Sequence, residues 1–392
     1  MELSKERELI EKRSHKIRES PTPNNPITEN MPLCNDSSGN LALAVALLLA
    51  VALYISFSPR SISGPNSDLL HNVNTLQPLV SLFIILLKST GDDIVWKWLQ
   101  KNVDKLGAVL DSAAAGNNKT VIIAVVNRAY VEEVEGGRTM LDLFLEGFWE
   151  GEGTLPLLDH LLVVAADQTA YDRCRFRRLH CYKMDTEGVN LEGEKVYMSA
   201  DFIEMMWRRT RLLLDVLHRG YHLVFTDMDV MWLRNPFSRL SNNGSMDMQI
   251  SVDHNCLEAG HSINTGFYHV RSNNRTISLF QKWYDMRLNS TSMKEQDVLK
   301  NLLDSGLFNQ LGVNVGFLNT TEFSGFCQDS PDMGAVTTVH ANCCRHIPPK
   351  VFDLTLVLSD WKSYKASHFH NKWSRHVECE GSWNDDHYVP KP

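Results

Sequence analysis

Two aspartates one residue apart, Asp227 and Asp229, end an apolar run that begins at Tyr221. Divalent cations such as Mg²⁺ and Mn²⁺ accept carboxylate oxygens as ligands, and phosphate oxygens of a bound ligand complete their octahedral coordination. Two ionised carboxylates this close repel each other, so a cation between them is favourable. An isolated Asp-x-Asp is more often a solvated turn. The apolar strand before this pair, and the Trp-Leu-Arg-Asn-Pro-Phe segment after it, favour a metal site.

Hydrophobic patterns predict the elements that position the pair. Residues 121–126 and 161–166 are continuous apolar runs, which are typical of central parallel strands covered on both faces. Helical spacing predicts helices over residues 140–149 and 199–218, and residues 222–226 form the strand that carries the pair. This alternation predicts right-handed crossovers and a mostly parallel sheet flanked by helices, that is, an α/β fold. Two further strands and two further helices are predicted, over residues 248–252, 266–270, 277–286 and 294–303.

Five polar residues directly follow the ends of predicted strands. In open α/β sheets, ligands bind outside the carboxyl ends of the strands. We therefore expect these five side chains to lie together and to form a binding site: Asn127, Asp167, Asp227, Asp229 and Asp253.

Composition and one apolar segment limit the class of protein. The chain has 392 residues, 43% apolar content and a formal charge of −8, with no basic block in its body, which argues against nucleic acid as a partner. Residues 41–57 contain no charge, proline or glycine, which favours a transmembrane signal-anchor, although a run this short also suits a buried core helix. We accordingly predict a disordered cytosolic tail (1–40), the anchor (41–57), a stem (58–115) and a lumenal catalytic domain (116–392).

Sequons and cysteines favour a lumenal body for the protein. Five Asn-x-Ser/Thr sequons follow the apolar segment, at Asn118, Asn243, Asn274, Asn289 and Asn319. Seven of the eight cysteines also follow it, and Cys174 and Cys181 form the easiest local disulfide loop. A zinc site is the alternative, but the chain has no Cys-x-x-Cys pair. An odd number of lumenal cysteines leaves a free thiol or an intermolecular bond, so a disulfide-linked oligomer is one expectation and a non-covalent oligomer another.

Several stretches, in order, resemble the plant nucleotide-diphospho-sugar transferases of glycosyltransferase family 77. The resemblance extends roughly over residues 120–373 and rests on residues 161–167, 220–236, 262–271, 295–297 and 323–350. The last stretch contains Phe-Ser-Gly-Phe-Cys-Gln and His-Ala-Asn-Cys-Cys.

The resemblance implies both an architecture and an activity. It implies a GT-A-like, Rossmann-type mixed sheet in a type II membrane protein of the Golgi apparatus. It also implies a UDP-sugar donor, Mn²⁺ (or Mg²⁺) as cofactor, and retention of anomeric configuration. Members of the family add xylose, arabinose or galactose to cell-wall polysaccharides and hydroxyproline-rich glycoproteins, which are the expected acceptors.

The resemblance also implies a metal centre. Asp227 and Asp229 are the expected carboxylate ligands and His340 is the expected third ligand, with His368 and His370 as alternatives. The other interpretation of His340 is that it only packs near the following cysteines.

The resemblance also implies which residues bind the UDP-sugar donor. Asn127 and Asp167 match positions that bind the nucleoside, although both equally suit turn capping. Arg211 lies on the helix before the acidic strand and is expected to face the diphosphate, together with Asp227. An arginine there equally suits a solvated helix face, and Arg208 and Arg209 compete with Arg211 for the diphosphate. Asp253, Asn264 and Gly266 match the sugar pocket, where the glycine permits close approach of the backbone.

The triplet Glu295-Gln296-Asp297 opens a predicted helix. Gln296 is expected to stabilise the cationic sugar carbon from its far face, and Glu295 or Asp297 to bind donor hydroxyls. Acidic residues at a helix start also serve simply as caps.

Two other functions compete with the transferase. Strand-terminal Asp-x-Asp also occurs in aspartyl-phosphate phosphohydrolases, with Asp227 as nucleophile and Asp229 as acid, but Met231 occupies a position where that motif has threonine or valine. The non-enzyme alternative is a lumenal carbohydrate-binding protein that has kept the fold and lost turnover. A dinucleotide-binding enzyme is disfavoured, because no Gly-x-Gly-x-x-Gly follows a strand.

Overall fold

The computed structural model of the protein describes residues 104–114, 116, 119–134, 137–186, 188–241, 244–255, 262–290, 292–367 and 372–384. The predicted tail and transmembrane segment, most of the predicted stem, and the alternative ligands His368 and His370 lie outside these residues. Within the described part of the chain, no helix combines the length and the apolar character that crossing a membrane requires.

The strands of the described residues are mostly short and rich in valine, isoleucine and leucine, whose side chains suit a pleated backbone. They are β1 (Thr120–Val126), β2 (Leu161–Ala165), β3 (His180–Lys183), β4 (His222–Thr226), β5 (Val230–Trp232), β6 (Met248–Val252), β7 (Ile263–Val270), β8 (Val315–Leu318), β9 (Phe323–Gly325) and β10 (Thr338–His340).

Seven of the described strands form the central sheet, in the order β3-β2-β1-β4-β7-β6-β8. Strands β3, β2, β1 and β4 are mutually parallel, β7 is antiparallel to both β4 and β6, and β8 is parallel to β6. The predicted α/β class with a mostly parallel central sheet is therefore confirmed. The sequence does not predict β3, because His-Cys-Tyr-Lys at the sheet edge carries no apolar run.

The helices of the described residues connect and cover these strands. They are α1 (Lys105–Ala113), α2 (Arg128–Val131), α3 (Met140–Glu150), α4 (Gln168–Phe176), α5 (Ala200–His218), α6 (Asn274–Asp285), α7 (Glu295–Asp304), α8 (Leu307–Leu311), α9 (Ile347–Ser367) and α10 (Val377–Gly381). The predicted helix over residues 199–218 corresponds to α5. Ser199 is its N-cap and accepts a hydrogen bond from the backbone of Phe202, and Gly220 lies just past its end with φ +81°.

Apolar side chains fill both faces of the central sheet, because side chains alternate along each strand. On one face, Ile122 and Val163 pack with residues of α3 and α9. On the other face, Val121 and Ile123 pack with residues of α1, α5 and α6. The boundary predicted at residue 116 stays a prediction, but α1, which precedes it, buries Leu110 in this second cluster.

A second sheet in the described residues has three short strands, in the order β5-β10-β9. Strand β5 begins one residue after Asp229, and β10 pairs with it antiparallel so that His340 lies opposite Val230. This pairing brings the end of β10 to the acidic pair, although the two segments are far apart in sequence.

Disulfides tie the segment after β10 to its neighbours. The described residues contain Cys174–Cys181, which confirms the predicted local loop, and also Cys327–Cys343 and Cys344–Cys379. The zinc alternative is therefore wrong for these six cysteines. Cys34 and Cys256 lie outside the described residues.

Candidate active site

The acidic pair lies in the turn between the two sheets. The backbone N–H of Asp227 donates to the carbonyl of Gly266 on β7 at 2.6 Å, and the carbonyl of Asp229 accepts from the N–H of Ala341 at 3.1 Å. The indole of Trp232 donates to Thr226 Oγ1 at 3.2 Å and fixes the end of β4. Both carboxylates are thus held on a backbone that is hydrogen-bonded on each side.

Asp227, Asp229 and His340 form a group that can hold a metal ion. Each offers one ligand atom, and these atoms all lie within 4.8 Å of one another. His340 Nε2 is 3.3 Å from Asp229 Oδ1, and both side chains are largely buried. Two carboxylates and one imidazole are a donor set that Mn²⁺ accepts, so the residues fit the predicted cofactor, whose identity stays a prediction.

Gly266 lets the ligands approach the β7 backbone. A Cβ at this position would lie 2.8 Å from Asp227 Oδ2 and 2.9 Å from Asn264 Oδ1, and it would collide with Cε1 of the His340 ring. Any other residue would therefore displace these side chains. The expected close approach of the Gly266 backbone to donor hydroxyls stays a prediction.

Lys350, in the first turn of α9, neutralises the acidic pair. Its Nζ lies 2.7 Å from Asp229 Oδ2. Burial opposes the charge on Lys350, but the Asp229 carboxylate overcomes this effect and raises the pKa of the lysine. Burial also opposes ionisation of Asp229, but Lys350 and His340 together hold the pKa of Asp229 below its usual range.

Arg209 on α5 neutralises the other side of the pair. Its Nη1 donates to Asp227 Oδ1 at 2.8 Å, its Nη2 donates to Glu295 Oε1 at 2.6 Å, and its guanidinium lies 4.6 Å from the centre of the Phe225 ring. Burial still raises the pKa of Asp227, against the attraction of Arg209. Arg209 itself is 4% exposed, so this is a buried charge network.

The expectation that Arg211 faces the diphosphate is wrong in this structure. Arg211 pairs with Asp215 at 3.3 Å and lies over the Tyr284 ring at 5.5 Å, with about half of its side chain exposed. Residues two apart on a helix point to nearly opposite sides, so Arg209 and Arg211 cannot both face the acidic pair. Arg208 points elsewhere too and bonds to Glu204 at 2.8 Å.

Glu295 and Gln296, at the start of α7, are hydrogen-bonded to Thr265 on β7. Glu295 Oε1 accepts from Thr265 Oγ1 at 2.8 Å, and Gln296 Oε1 accepts from the Thr265 backbone N–H at 3.0 Å. Glu295 is 1% exposed, and its Oε2 has no hydrogen-bond partner among the described residues. Asp297 is half-buried, and this burial raises the pKa of its carboxyl. The proposed contacts of these three residues with a sugar stay predictions.

Asp253 joins two amides beside the metal group. Its Oδ1 accepts from Asn264 Nδ2 at 2.8 Å and from Asn342 Nδ2 at 2.7 Å. Asn264 in turn accepts from the Gly266 backbone N–H through Oδ1, also at 2.8 Å. Asp253 and Asn264 therefore lie next to Gly266, as expected, and Asn342 is a member of this cluster that the sequence does not single out.

Comparison with known proteins decides what kind of site this is. The sequence profile of the nucleotide-diphospho-sugar transferases matches residues 156–354, which include the acidic pair, His340 and Lys350. The chain belongs to this family. The transferase is therefore a glycosyltransferase, and the phosphohydrolase interpretation is wrong.

Individual relatives differ in their sequence identity to the transferase and in how much of the chain they match. An uncharacterized protein of Arabidopsis thaliana is 69% identical over 92% of this chain and 100% of its own length. The arabinosyltransferase XEG113 of Arabidopsis thaliana is 23% identical over 65% of this chain and 43% of its own. Among solved structures, the galactosyltransferase LgtC in complex with donor and acceptor sugar analogs has a TM-score of 0.37 and 12% identity, covering 63% of this chain and 95% of that one.

Asn127 and Asp167 of the transferase act as helix caps. Asn127 Oδ1 accepts from the Ala129 N–H at 3.2 Å, and its Nδ2 donates to the carbonyls of Leu191 and Gly193. Asp167 accepts from the N–H groups of Arg128 and Ala170 at 2.5 and 2.8 Å. The two residues thus bind the backbone near the ends of β1 and β2. Their nucleoside role in the transferase stays a prediction.

The two cations of the transferase site, Arg209 and Lys350, differ in how far the sequence reveals them. Arg209 falls on the apolar stripe of α5, three and four residues before the buried Leu212 and Leu213, so a charge there must be paired inside the protein. Lys350 ends the family stretch 323–350, but its charge alone does not distinguish it from other lysines.

Proposed function

We propose that this glycosyltransferase moves a pentose or galactose unit from a UDP-sugar to a glycan acceptor, with a divalent metal ion at Asp227, Asp229 and His340. The single observation that carries the proposal is the convergence of these three ligands with Lys350 on one buried point. Arabinose is the first sugar to test, because the relative XEG113 is an arabinosyltransferase. The proposed acceptor is a cell-wall polysaccharide or a hydroxyproline-rich glycoprotein.

The charges around the acidic pair suit a diphosphate leaving group. Transfer breaks the bond between the anomeric carbon and the β-phosphate, so negative charge grows on the phosphate as the bond lengthens. A divalent ion, when bound, supplies positive charge that stabilises this leaving group. Lys350, now paired with Asp229, is placed to donate its N–H groups to the same phosphate oxygens.

Arg209 has a different task in this proposal. It occupies Asp227 Oδ1, so that Oδ2, which faces Gly266, is the oxygen left for other ligands. Because Arg209 also binds the buried Glu295, it couples the metal group to the start of α7. The guanidinium therefore positions Asp227 rather than touching the substrate.

Retention of the anomeric configuration is part of the proposal. Gln296 is held at the Thr265 backbone, close to the proposed sugar pocket, where its amide suits stabilisation of a cationic sugar carbon. A leaving phosphate that takes the acceptor proton makes a separate base unnecessary. In that scheme the oxygen–carbon bond to the acceptor forms on the same face from which the phosphate departs.

The proposed location is the Golgi lumen, with a membrane anchor at residues 41–57. Three disulfides among the described residues agree with an oxidising compartment.

One assay tests the reaction. Release of UDP from UDP-sugars is measured for the purified full-length protein with Mn²⁺, and again with EDTA. Metal-dependent release from at least one UDP-pentose or UDP-galactose is the expected result. Absence of release from every donor contradicts the proposal and favours a carbohydrate-binding protein without turnover.

A further inference from the structure

A cavity of about 360 Å³ opens beside the Cys327–Cys343 and Cys344–Cys379 disulfides. This volume is within the range of small-molecule sites, about 300–1,000 Å³. We call it the disulfide cavity, and its walls include the side chains of Phe326, Asp329, Arg375, His376, Glu380 and Trp383. None of these residues belongs to the metal group or to the predicted donor site.

The disulfide cavity adjoins the active site through Asn342. This residue binds Asp253 of the proposed sugar pocket at 2.7 Å. The next residue, Cys343, lines the cavity, and its carbonyl accepts from the Trp383 indole N–H at 3.0 Å. Cys343 is three residues beyond His340, and three residues of extended chain span about 10 Å. A molecule in the cavity is therefore close to a sugar held beside Asp253.

Aromatic rings supply the apolar part of the disulfide cavity. Trp383 is 49% exposed although its N–H is anchored, and the Arg345 guanidinium lies 5.4 Å from its ring. Phe326 stacks on His376 with ring centroids 3.6 Å apart. The face of an aromatic ring is electron-rich, so it attracts the C–H groups on the apolar face of a sugar ring.

Carboxylates and a guanidinium supply the polar part. The two oxygens of Asp329 lie 3.0 and 3.1 Å from His376 Nε2, and Glu380 pairs with Arg375 through both of its oxygens. An ionised carboxylate has about four acceptor positions, so each retains acceptor capacity for hydroxyl groups. An exposed aromatic face bordered by oriented hydrogen-bonding groups suits a neutral, hydroxyl-rich ligand.

We propose that the disulfide cavity binds a neutral sugar ring of the acceptor glycan, stacked on Trp383 and hydrogen-bonded by Asp329 and Glu380. The proposal rests on the proposed function, because a transferase needs an acceptor site next to its donor site. The Cys327–Cys343 and Cys344–Cys379 disulfides hold this acceptor site at a fixed distance from His340.

Binding to an array of neutral oligosaccharides tests the cavity without requiring turnover. The array carries arabinan, galactan and xylan fragments and hydroxyproline-linked arabinosides, and the full-length protein is applied with saturating UDP and Mn²⁺. We expect the wild type to bind at least one of these probes and Trp383→Ala to weaken that binding about tenfold or more. Trp383→Phe keeps an aromatic face and should retain most of the affinity.

Trp149→Ala is the matched control. Trp149 is 55% exposed on α3 and does not line the cavity, so its removal should leave glycan binding unchanged. Unfolding midpoints of the three variants establish that each is folded.

The outcomes separate this proposal from the proposed function. Equal binding by the wild type and a folded Trp383→Ala variant overturns the cavity proposal, and so does a wild type that binds no neutral probe. Release of UDP from UDP-sugars by the wild type, measured without glycan, tests the proposed function alone. Glycan binding that depends on Trp383, in a protein that releases no UDP, would support the cavity and contradict the transferase reaction.

Discussion

Lys350 Nζ lies 2.7 Å from Asp229 Oδ2, so an ammonium group occupies one side of a carboxylate that is also a proposed metal ligand. Lys350 and the metal ion therefore compete for the negative charge of Asp229, whereas both attract a bound diphosphate. We predict that Lys350→Met binds Mn²⁺ at least as tightly as the wild type and binds UDP more weakly. Its rate of UDP release should fall about 100-fold, the usual loss for removing one charge-stabilising donor. Calorimetric titration with Mn²⁺, then with UDP, measures the two effects separately. Weaker Mn²⁺ binding in the variant would contradict this assignment of Lys350.

Arg209 and Arg211 form a matched pair of variants on the same helix. Arg209 is buried between Asp227 and Glu295, whereas Arg211 is half exposed beside Asp215. Removing one partner of a buried ion pair costs about 3–5 kcal/mol, because the other charges stay buried without compensation. We predict a loss of this size for Arg209→Met and a change within about 0.5 kcal/mol for Arg211→Met. Denaturant unfolding of both variants measures the difference.

A double variant checks the cause of the Arg209 effect. Glu295→Met added to Arg209→Met removes one of the two orphaned carboxylates, so part of the lost stability should return. A double variant as unstable as the sum of the two single variants would contradict a direct interaction between Arg209 and Glu295.

Variants at Gly266 test whether metal binding requires the close approach of Asp227 and His340 to the β7 backbone. A Cβ at Gly266 would displace His340 and Asp227, whereas a Cβ at Gly316 on β8 would meet its nearest atom at 3.5 Å, an ordinary contact. We predict that Gly266→Ala loses detectable Mn²⁺ binding and UDP release, and that Gly316→Ala retains both. Electron paramagnetic resonance of added Mn²⁺ measures the bound fraction in each variant. Normal Mn²⁺ binding by Gly266→Ala would show that the three ligands do not need the observed arrangement.

Periodicity predicts the central elements because burial on both faces of the sheet leaves a strong pattern. Strand β2 is apolar throughout, β1 and β4 have polar residues only at their ends, and α5 agrees with its predicted range to within one residue. The small sheet is not predicted, because β5, β9 and β10 have three residues each, too few for a period to be recognised. That sheet is what brings His340 to Asp229, so the histidine could be proposed only from the family resemblance.

The acidic pair could be predicted from local sequence, but its partners could not. Asp227 and Asp229 follow an apolar strand, and that signal is contained within a few residues. Arg209 and Lys350 meet the pair, and Glu295 meets Arg209, only through tertiary packing of three different helices. Asn127 and Asp167 also follow strand ends and cap the helices after β1 and β2, and their membership of a common site with the acidic pair stays a prediction.

Asp247 lies away from the active site, and its hydrogen bonds predict how the stability of the protein depends on pH. Burial disfavours its charged form, but Arg275, the Asn314 N–H and Asn273 together outweigh burial and hold its pKa below the ordinary 3.8. A lowered pKa means that the ionised form stabilises the fold above pH 4 and that this stabilisation disappears as the pH falls through the folded-state value. Asp247→Asn should therefore cost about 1.5–3 kcal/mol at pH 7, the range for a hydrogen bond to a charged group, and progressively less below pH 4.

Asp304→Asn, which removes an exposed pair with Lys300, should cost less than about 1 kcal/mol at every pH. Urea unfolding at a series of pH values measures both differences, and a cost for Asp247→Asn that stays constant from pH 7 to pH 3 would contradict the ionised network.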